Sequence, residues 1–270
     1  MLDELDLTQK LKRREWRELR LPLQRRLYLL QQAALTIGLP AVVLIEGWAG
    51  AGKGDAIRAL TYGLDPRGFQ AWAMRRPDEQ DRRHPWLRRY WLRLPARGNL
   101  AIFDTGWYGQ VLTARVEGDL HDDAARAAYR DCIDLERMLA DDGYAVVKIW
   151  LHISQEEQRR RLRDSNGETL RWPGSRADDW KQYRKHREYR PLVEEMLAQS
   201  DVEGLRWTLI AANNPYFAQW RVLQTVASAL EAGLTELGVL IGAEEAPDEA
   251  DHGFTVGVEE ALLKSSGDFG

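Results

Sequence analysis

The sequence predicts an α/β fold, a parallel five-stranded sheet flanked by helices. Three observations carry that prediction. Short runs rich in Val, Ile, Leu and Phe recur at 41–46, 69–74, 100–104, 145–152 and 207–211. Segments with helical periodicity stand between them, notably 122–141 and 154–163. The first run also ends in a glycine-rich turn, followed by a helix-capable stretch at 55–62. Strands that alternate with helices imply right-handed crossovers and a sheet covered on both faces.

Taken in order, residues 9–36 mix Arg and Lys with Leu and Gln and read as a lead-in helix on the domain edge, closed by Gly38 and Pro40. The strand at 41–46 is continuously apolar up to Glu46, as a strand buried on both faces should be. Ser154 and Glu157 have capping-box spacing, which starts a helix just after the fourth strand. Asn213 or Asn214 caps a last helix from Pro215 to about Leu237, with proline in the first turn. Beyond Gly242 the chain turns acidic, with too few apolar residues to pack. The expected division is a helical extension at 1–38, one domain at 39–240 with a lid at about 159–190, and a mobile acidic tail at 241–270.

Composition narrows the function classes. A chain of 270 residues with 44% apolar and 30% charged residues can bury a full core. Its net charge of −4 argues against a nucleic-acid partner. No apolar run approaches the ~20 residues that span a bilayer, so no membrane association is expected. The single Cys132 excludes an internal disulfide and reads as packing. A cytoplasmic setting is the expectation.

The glycine-rich turn is the most informative segment. Gly47, Trp48, Ala49, Gly50, Ala51, Gly52 and Lys53 fit the G-x-x-x-x-G-K core of a phosphate-binding loop, and the strand before and helix after supply its structural context. Such a loop wraps backbone N–H groups around a phosphate, while the helix N-terminus and Lys53 add positive charge. The residue that usually supplies a hydroxyl to Mg²⁺ is here Gly54, which argues against a standard nucleoside triphosphatase. The fold class thereby narrows to a three-layer, phosphate-loop kinase-like fold with a helical lid.

Ligands of such sheets sit at the carboxyl ends of the strands, where this loop and Asp104 converge. A carboxylate at Asp104 would hold Mg²⁺, directly or through water. Two basic clusters follow. One holds Arg75, Arg76 and Arg89; the other, from Arg159 to Arg187, includes Arg171, Arg176 and Lys181. Most members of such clusters are solvated pairs with Asp or Glu. Several arginines in an acidic chain nevertheless point to a local anion channel, which makes these residues, with Arg115, the candidate ligands of a phosphate-bearing polyanion. Eleven tryptophans are many for this length, and one of Trp86, Trp91, Trp107, Trp150, Trp172 or Trp180 would be placed to stack on a purine.

These segments, in this order, resemble the polyphosphate kinase 2 family. The likeness rests on EGWAGAGKG at 46–54, LDPRG at 64–68, RPDE at 76–79, PWLRRYW at 85–91, LPARG at 94–98, IFD at 102–104 and WY at 107–108. DDW at 178–180 and EEML at 194–197 extend it through the lid, so that it covers roughly 5–237. The resemblance implies Mg²⁺-dependent phosphoryl transfer between inorganic polyphosphate and a nucleotide (ADP, AMP or GDP). It also implies assembly as a dimer or tetramer. Lys53 and Asp104 take the catalytic roles in that picture.

Three positions depart from the family's pattern. Its loops read G-x-D-x-x-G-K-G, and the Asp position here is Ala49; its second motif reads D-R-S-W-Y, and the Arg position here is Thr105. The lid reads Arg171-Trp172-Pro173 where active members have Trp-Lys-Leu-Ser-Pro. In this the chain is closer to the degenerate amino-terminal halves of two-domain members. Glu46, Asp55 and Glu117 are the carboxylates available as substitutes. Three readings follow: a polyphosphate–nucleotide phosphotransferase, a catalytically inactive phosphate-binding module, and an ATP-dependent small-molecule kinase.

Overall fold

The structure, a computed structural model, describes residues 1–164 and 175–241, with side chains in the second stretch from 177. Of the expected acidic tail at 241–270, residues 242–270 lie outside the described residues. The five strands are β1 (Ala41–Gly47), β2 (Phe69–Ala73), β3 (Leu100–Asp104), β4 (Ala145–His152) and β5 (Trp207–Ala211). They pair in parallel in the order β2-β3-β1-β4-β5. Central β1 is buried from Ala41 to Glu46, whereas β2, at the edge, is largely exposed. This is the predicted sheet, each strand matching its run to within a residue.

The helices are α1 (Arg13–Ile37), α2 (Lys53–Thr61), α3 (Glu79–Arg82), α4 (Arg88–Trp91), α5 (Trp107–Glu117), α6 (Asp122–Asp141), α7 (Gln155–Asp164), α8 (Ser175–Arg184), α9 (His186–Ser200) and α10 (Pro215–Glu236). α7 and α10 begin as the sequence predicts. Ser154 Oγ accepts the Glu157 N–H at 3.1 Å, and Asn214, not Asn213, accepts the Phe217 N–H at 2.8 Å.

The edge position expected for the lead-in helix needs correcting. Leu27, Leu30 and Ala34 repeat at helical spacing and are fully buried, and α1 packs along α10 as part of the common core. It stops at Gly38, whose φ of +86° suits glycine and lets its N–H reach Ala34 O at 2.9 Å. Cys132 is buried in α6, where burial pushes its thiol well above the ordinary range.

One charged pair lies inside this core. Lys148 on β4 and Glu136 on α6 are both inaccessible to solvent, with Nζ and Oε2 2.9 Å apart. Nζ also donates to Ser200 O at 2.7 Å and lies over the rings of Tyr108 and Trp207. Glu136 Oε1 accepts the Trp107 indole N–H at 2.9 Å. Burial raises the Glu136 carboxyl and lowers the Lys148 amine, and each partner's charge opposes that displacement. Because Trp107 is the first residue of α5, the pair anchors the turn leading out of β3, where the site begins.

Candidate active site

The loop after β1 has the backbone a phosphate cradle requires. Gly47 (φ +144°), Gly50 (φ +77°) and Gly52 (φ +93°) adopt conformations that L-residues rarely take. A Cβ at Gly47 would also stand 2.5 Å from Leu151 O. Gly52 caps α2, and Lys53 opens it. Lys53 Nζ folds back to 3.3 Å from Gly47 O and 3.4 Å from Trp48 O.

Three side chains outside the motif hold this loop, and no motif or spacing marks them as loop partners. The Ala49 N–H donates to Gln182 Oε1 on α8 at 2.5 Å. Gln158 Nε2 bridges Ala49 O (3.1 Å) and Gln182 Oε1 (3.2 Å). Arg161, which sequence reasoning placed in the lid cluster, donates to Gly50 O, Ala212 O and Asn213 O, and so ties the loop to the end of β5. Trp48 points inward and is fully buried. Its indole N–H donates to His152 Nδ1 at 2.8 Å, and its ring stacks on His186 at 4.4 Å.

The β3 end forms the next wall. Asp104 lines the cleft, and among the described residues its carboxylate has no hydrogen-bond or ion-pair partner. Thr105 follows at φ +66°, the single positive φ outside glycine among the described residues. That is a strained setting for a β-branched side chain. Glu46, buried at the end of β1, accepts the N–H groups of Gly106 (2.9 Å) and Gly109 (3.0 Å) at the start of α5. Burial raises its carboxyl to about 7, against the pull of those two N–H groups and of the Lys53 charge. Of the other two substitute carboxylates, Asp55 is exposed beside Arg58, while Glu117 lines the cleft.

These elements enclose a cleft of about 810 Å³, which Ala49, Lys53, Arg75, Arg76, Arg89, Asp104 and Lys181 all line. Arg89 is 6% exposed. Its Nη2 donates to Arg75 O at 2.6 Å and Nη1 lies 3.4 Å from an Asp81 oxygen, yet Nε and Nη1 have no hydrogen-bond partner among the described residues. Arg76 makes two 2.6 Å bonds to Glu117 and a 3.2 Å contact to Asp178, and Lys181 pairs with the same Glu117. Glu117 is held below the usual carboxylate range by Arg76 first and by Lys181 as well. α8 is thus pinned to α5 through charges that sequence reasoning had assigned to a ligand.

Arg115 does not join them. Its buried guanidinium lies against Asp122 (2.8 Å) and Glu195 (3.0 Å), joining α5, α6 and α9 outside the cleft lining. Arg171, Trp172 and the side chain of Arg176 lie outside the described residues. Of the other candidate tryptophans, Trp86 lines the cleft and donates to Asp131 at 3.2 Å. Trp107 and Trp150 are core residues, and Trp91 is exposed outside the cleft.

Residues 10–237 match the polyphosphate kinase 2 family. The chain belongs to that family. It is 35% identical over 231 residues to a polyphosphate:AMP phosphotransferase of Pseudomonas syringae pv. tomato. That match takes in 86% of this chain but 46% of the relative, so the chain spans about half the length of that protein. An AMP/ADP-polyphosphate phosphotransferase of Meiothermus ruber is 31% identical over 211 residues, covering 77% of this chain and 79% of that protein. The crystal structure of a polyphosphate kinase 2 from Arthrobacter aurescens TC1 has a TM-score of 0.80 at 25% identity, covering 98% of this chain and 92% of that one. The fold of the family is therefore present through the sheet and its flanking helices.

Proposed function

We propose that this chain moves a phosphoryl group between inorganic polyphosphate and a nucleoside mono- or diphosphate (AMP, ADP or GDP). One observation carries the reading: Ala49 and Lys53 of the glycine-rich loop and the buried Arg89, with its unbonded edge, line the same cleft. Two anions brought together between such groups are what phosphoryl transfer needs, because catalysis there is mainly positioning and charge stabilisation. The names borne by the Pseudomonas and Meiothermus relatives support the substrate class. A cytoplasmic setting belongs to the same reading, and among the described residues no helix is long and apolar enough to cross a membrane.

In this mechanism the N–H groups of residues 47–53, the start of α2 and Lys53 hold the transferred phosphate. Arg89 and Arg75 receive the nucleotide's phosphates. Gln182 leaves the Ala49 N–H to the incoming anion, and Arg76 and Lys181 exchange Glu117 and Asp178 for phosphate oxygens. α8, within the expected lid, then closes over the chain of phosphates and excludes water.

The residues fit Mg²⁺ in its phosphate-bound form. Among the described residues no three His, Cys, Asp or Glu side chains cluster to cage a metal, but the unpartnered Asp104 carboxylate is the kind of single ligand Mg²⁺ takes beside substrate phosphates. The ion would neutralise charge on those phosphates.

The test is ATP formation from polyphosphate and ADP, with AMP and GDP in parallel and Mg²⁺ present, beside a Lys53→Ala control. Turnover that falls about 10²–10³-fold or more in the control supports the reading. A second reading, a phosphate-binding module without turnover, is favoured by Ala49, whose buried methyl stands where the family's loop has a carboxylate. Background turnover with every nucleotide, together with polyphosphate binding that depends on Lys53, would select it.

A further inference from the structure

A second cavity, of about 430 Å³, shares no lining residue with the cleft. It lies between the first residues of the chain, the turn from β4 into α7 and the start of α9. Two imidazoles line it, His152 and His186, 5% and 6% exposed. The Trp48 indole N–H can only donate, so His152 Nδ1 is the acceptor and the neutral ring carries its proton on Nε2. Burial first, and then the charge of Arg190, push the His152 ring down to about 4, and the same two causes lower His186. Both rings are therefore neutral near pH 7. The His152 Nε2–H and the ring nitrogens of His186 have no hydrogen-bond partner among the described residues. These nitrogens belong to residues that line the cavity and are accessible from it.

The surroundings favour a negative guest. Arg187 lines the cavity with no partner among the described residues, while Arg190 is paired with Asp3. α7, ten residues long, starts at the cavity wall. Ser154 Oγ takes the Glu157 N–H, which leaves the Gln155 and Glu156 N–H groups at the helix's positive end. A metal is not what the cavity is built for, since no third His, Cys, Asp or Glu ligand joins the two rings among the described residues.

We propose that this cavity binds a phosphate-class oxyanion, with the His152 Nε2–H, Arg187 and the first-turn N–H groups of α7 as its donors. The guest would lie one imidazole away from Trp48, the second residue of the cradle, so its occupancy and the loop's geometry are mechanically joined. The site stands independently of the transfer reaction proposed for the cleft.

Histidine ring NMR on the full chain tests it. His84 lines the cleft and reports on that site, while His152 and His186 report on the cavity. Inorganic phosphate and pyrophosphate are titrated separately at pH 7, without Mg²⁺, into Lys53→Ala and into Lys53→Ala/Arg187→Ala. The expected result is a saturable shift of His152 and His186 in the first protein with at least one of the two anions, weakened about tenfold in the second by loss of a charge-assisted contact. Arg187 is exposed, so its removal leaves the core intact. Unmoved His152 and His186 resonances with both anions, or equal affinity with and without Arg187, would overturn the proposal.

Discussion

Replacing Glu46 by Gln isolates the cost of placing a carboxylate between the cradle and α5. The side chain is 2% exposed on an otherwise apolar strand, and burial raises its carboxyl from an ordinary 4.5 to about 7. Below about pH 4.5 the group is protonated in both the folded and the unfolded chain. Between 4.5 and 7 the unfolded chain gives up the proton and the folded one keeps it, so stability contributed at low pH is lost as pH rises and is gone above 7. At about 1.4 kcal/mol per pH unit, that interval amounts to roughly 3 kcal/mol. Glutamine has nearly the same shape, keeps an oxygen for the Gly106 and Gly109 N–H groups, and does not titrate. Urea unfolding of both proteins at pH 5, 6, 7 and 8, in Mg²⁺-free buffer, reads the difference, because groups that do not interact with Glu46 cancel. Glu46→Gln should gain roughly 2–3 kcal/mol on wild type between pH 5 and 8. A difference constant to about 0.5 kcal/mol over that range would refute the burial argument.

Three further outcomes follow from the same geometry. Lys148→Met strands the Glu136 carboxylate in the core and should cost about 3–5 kcal/mol, a fall in melting temperature of roughly 6–20 °C, most of it recovered in Lys148→Met/Glu136→Gln; calorimetry of the three proteins checks this. In Gly109→Ala the new Cβ would stand 2.3 Å from Thr105 Cγ2 and 2.8 Å from Glu46 Oε2. That should cost about 1–3 kcal/mol in denaturant midpoint analysis, as overpacking does. Gln182→Ala frees the Ala49 N–H and should tighten polyphosphate binding about two- to tenfold by titration calorimetry, the worth of one hydrogen bond; weaker binding would mean that Gln182 touches the ligand instead.

The strands and the glycine-rich turn were legible because each writes its own local pattern. Buried parallel strands are short apolar runs, and the turn after β1 needs glycine at Gly47, Gly50 and Gly52 for backbone reasons alone. α5 was not legible. Its opening, Trp107-Tyr108-Gly109, reads weakly as helix, and what holds it are long-range contacts, Trp107 to Glu136 and the Gly109 N–H to Glu46. The misplacement of Arg115 has the same origin. Arginines in one stretch look alike in sequence, and only the packing of α5 against α6 and α9 turns this one away from Arg76 and Arg89. Gln158 and Gln182 were invisible for another reason: a neutral amide gives no charge or periodicity signal, and the two meet over Ala49 only when α7 and α8 are in place.

The pairing of α1 with α10 has a consequence for how the chain is made. Roughly 180 residues separate the end of one from the start of the other. At ribosomal speeds of about 5–20 residues per second, α1 waits on the order of 10–40 s for the helix that covers its apolar face. During that interval Leu27, Leu30 and Ala34 form an unsheltered greasy stripe on a nascent chain, a natural landing place for a chaperone. The sheet can assemble strand by strand, but the pairing that covers α1 waits for α10.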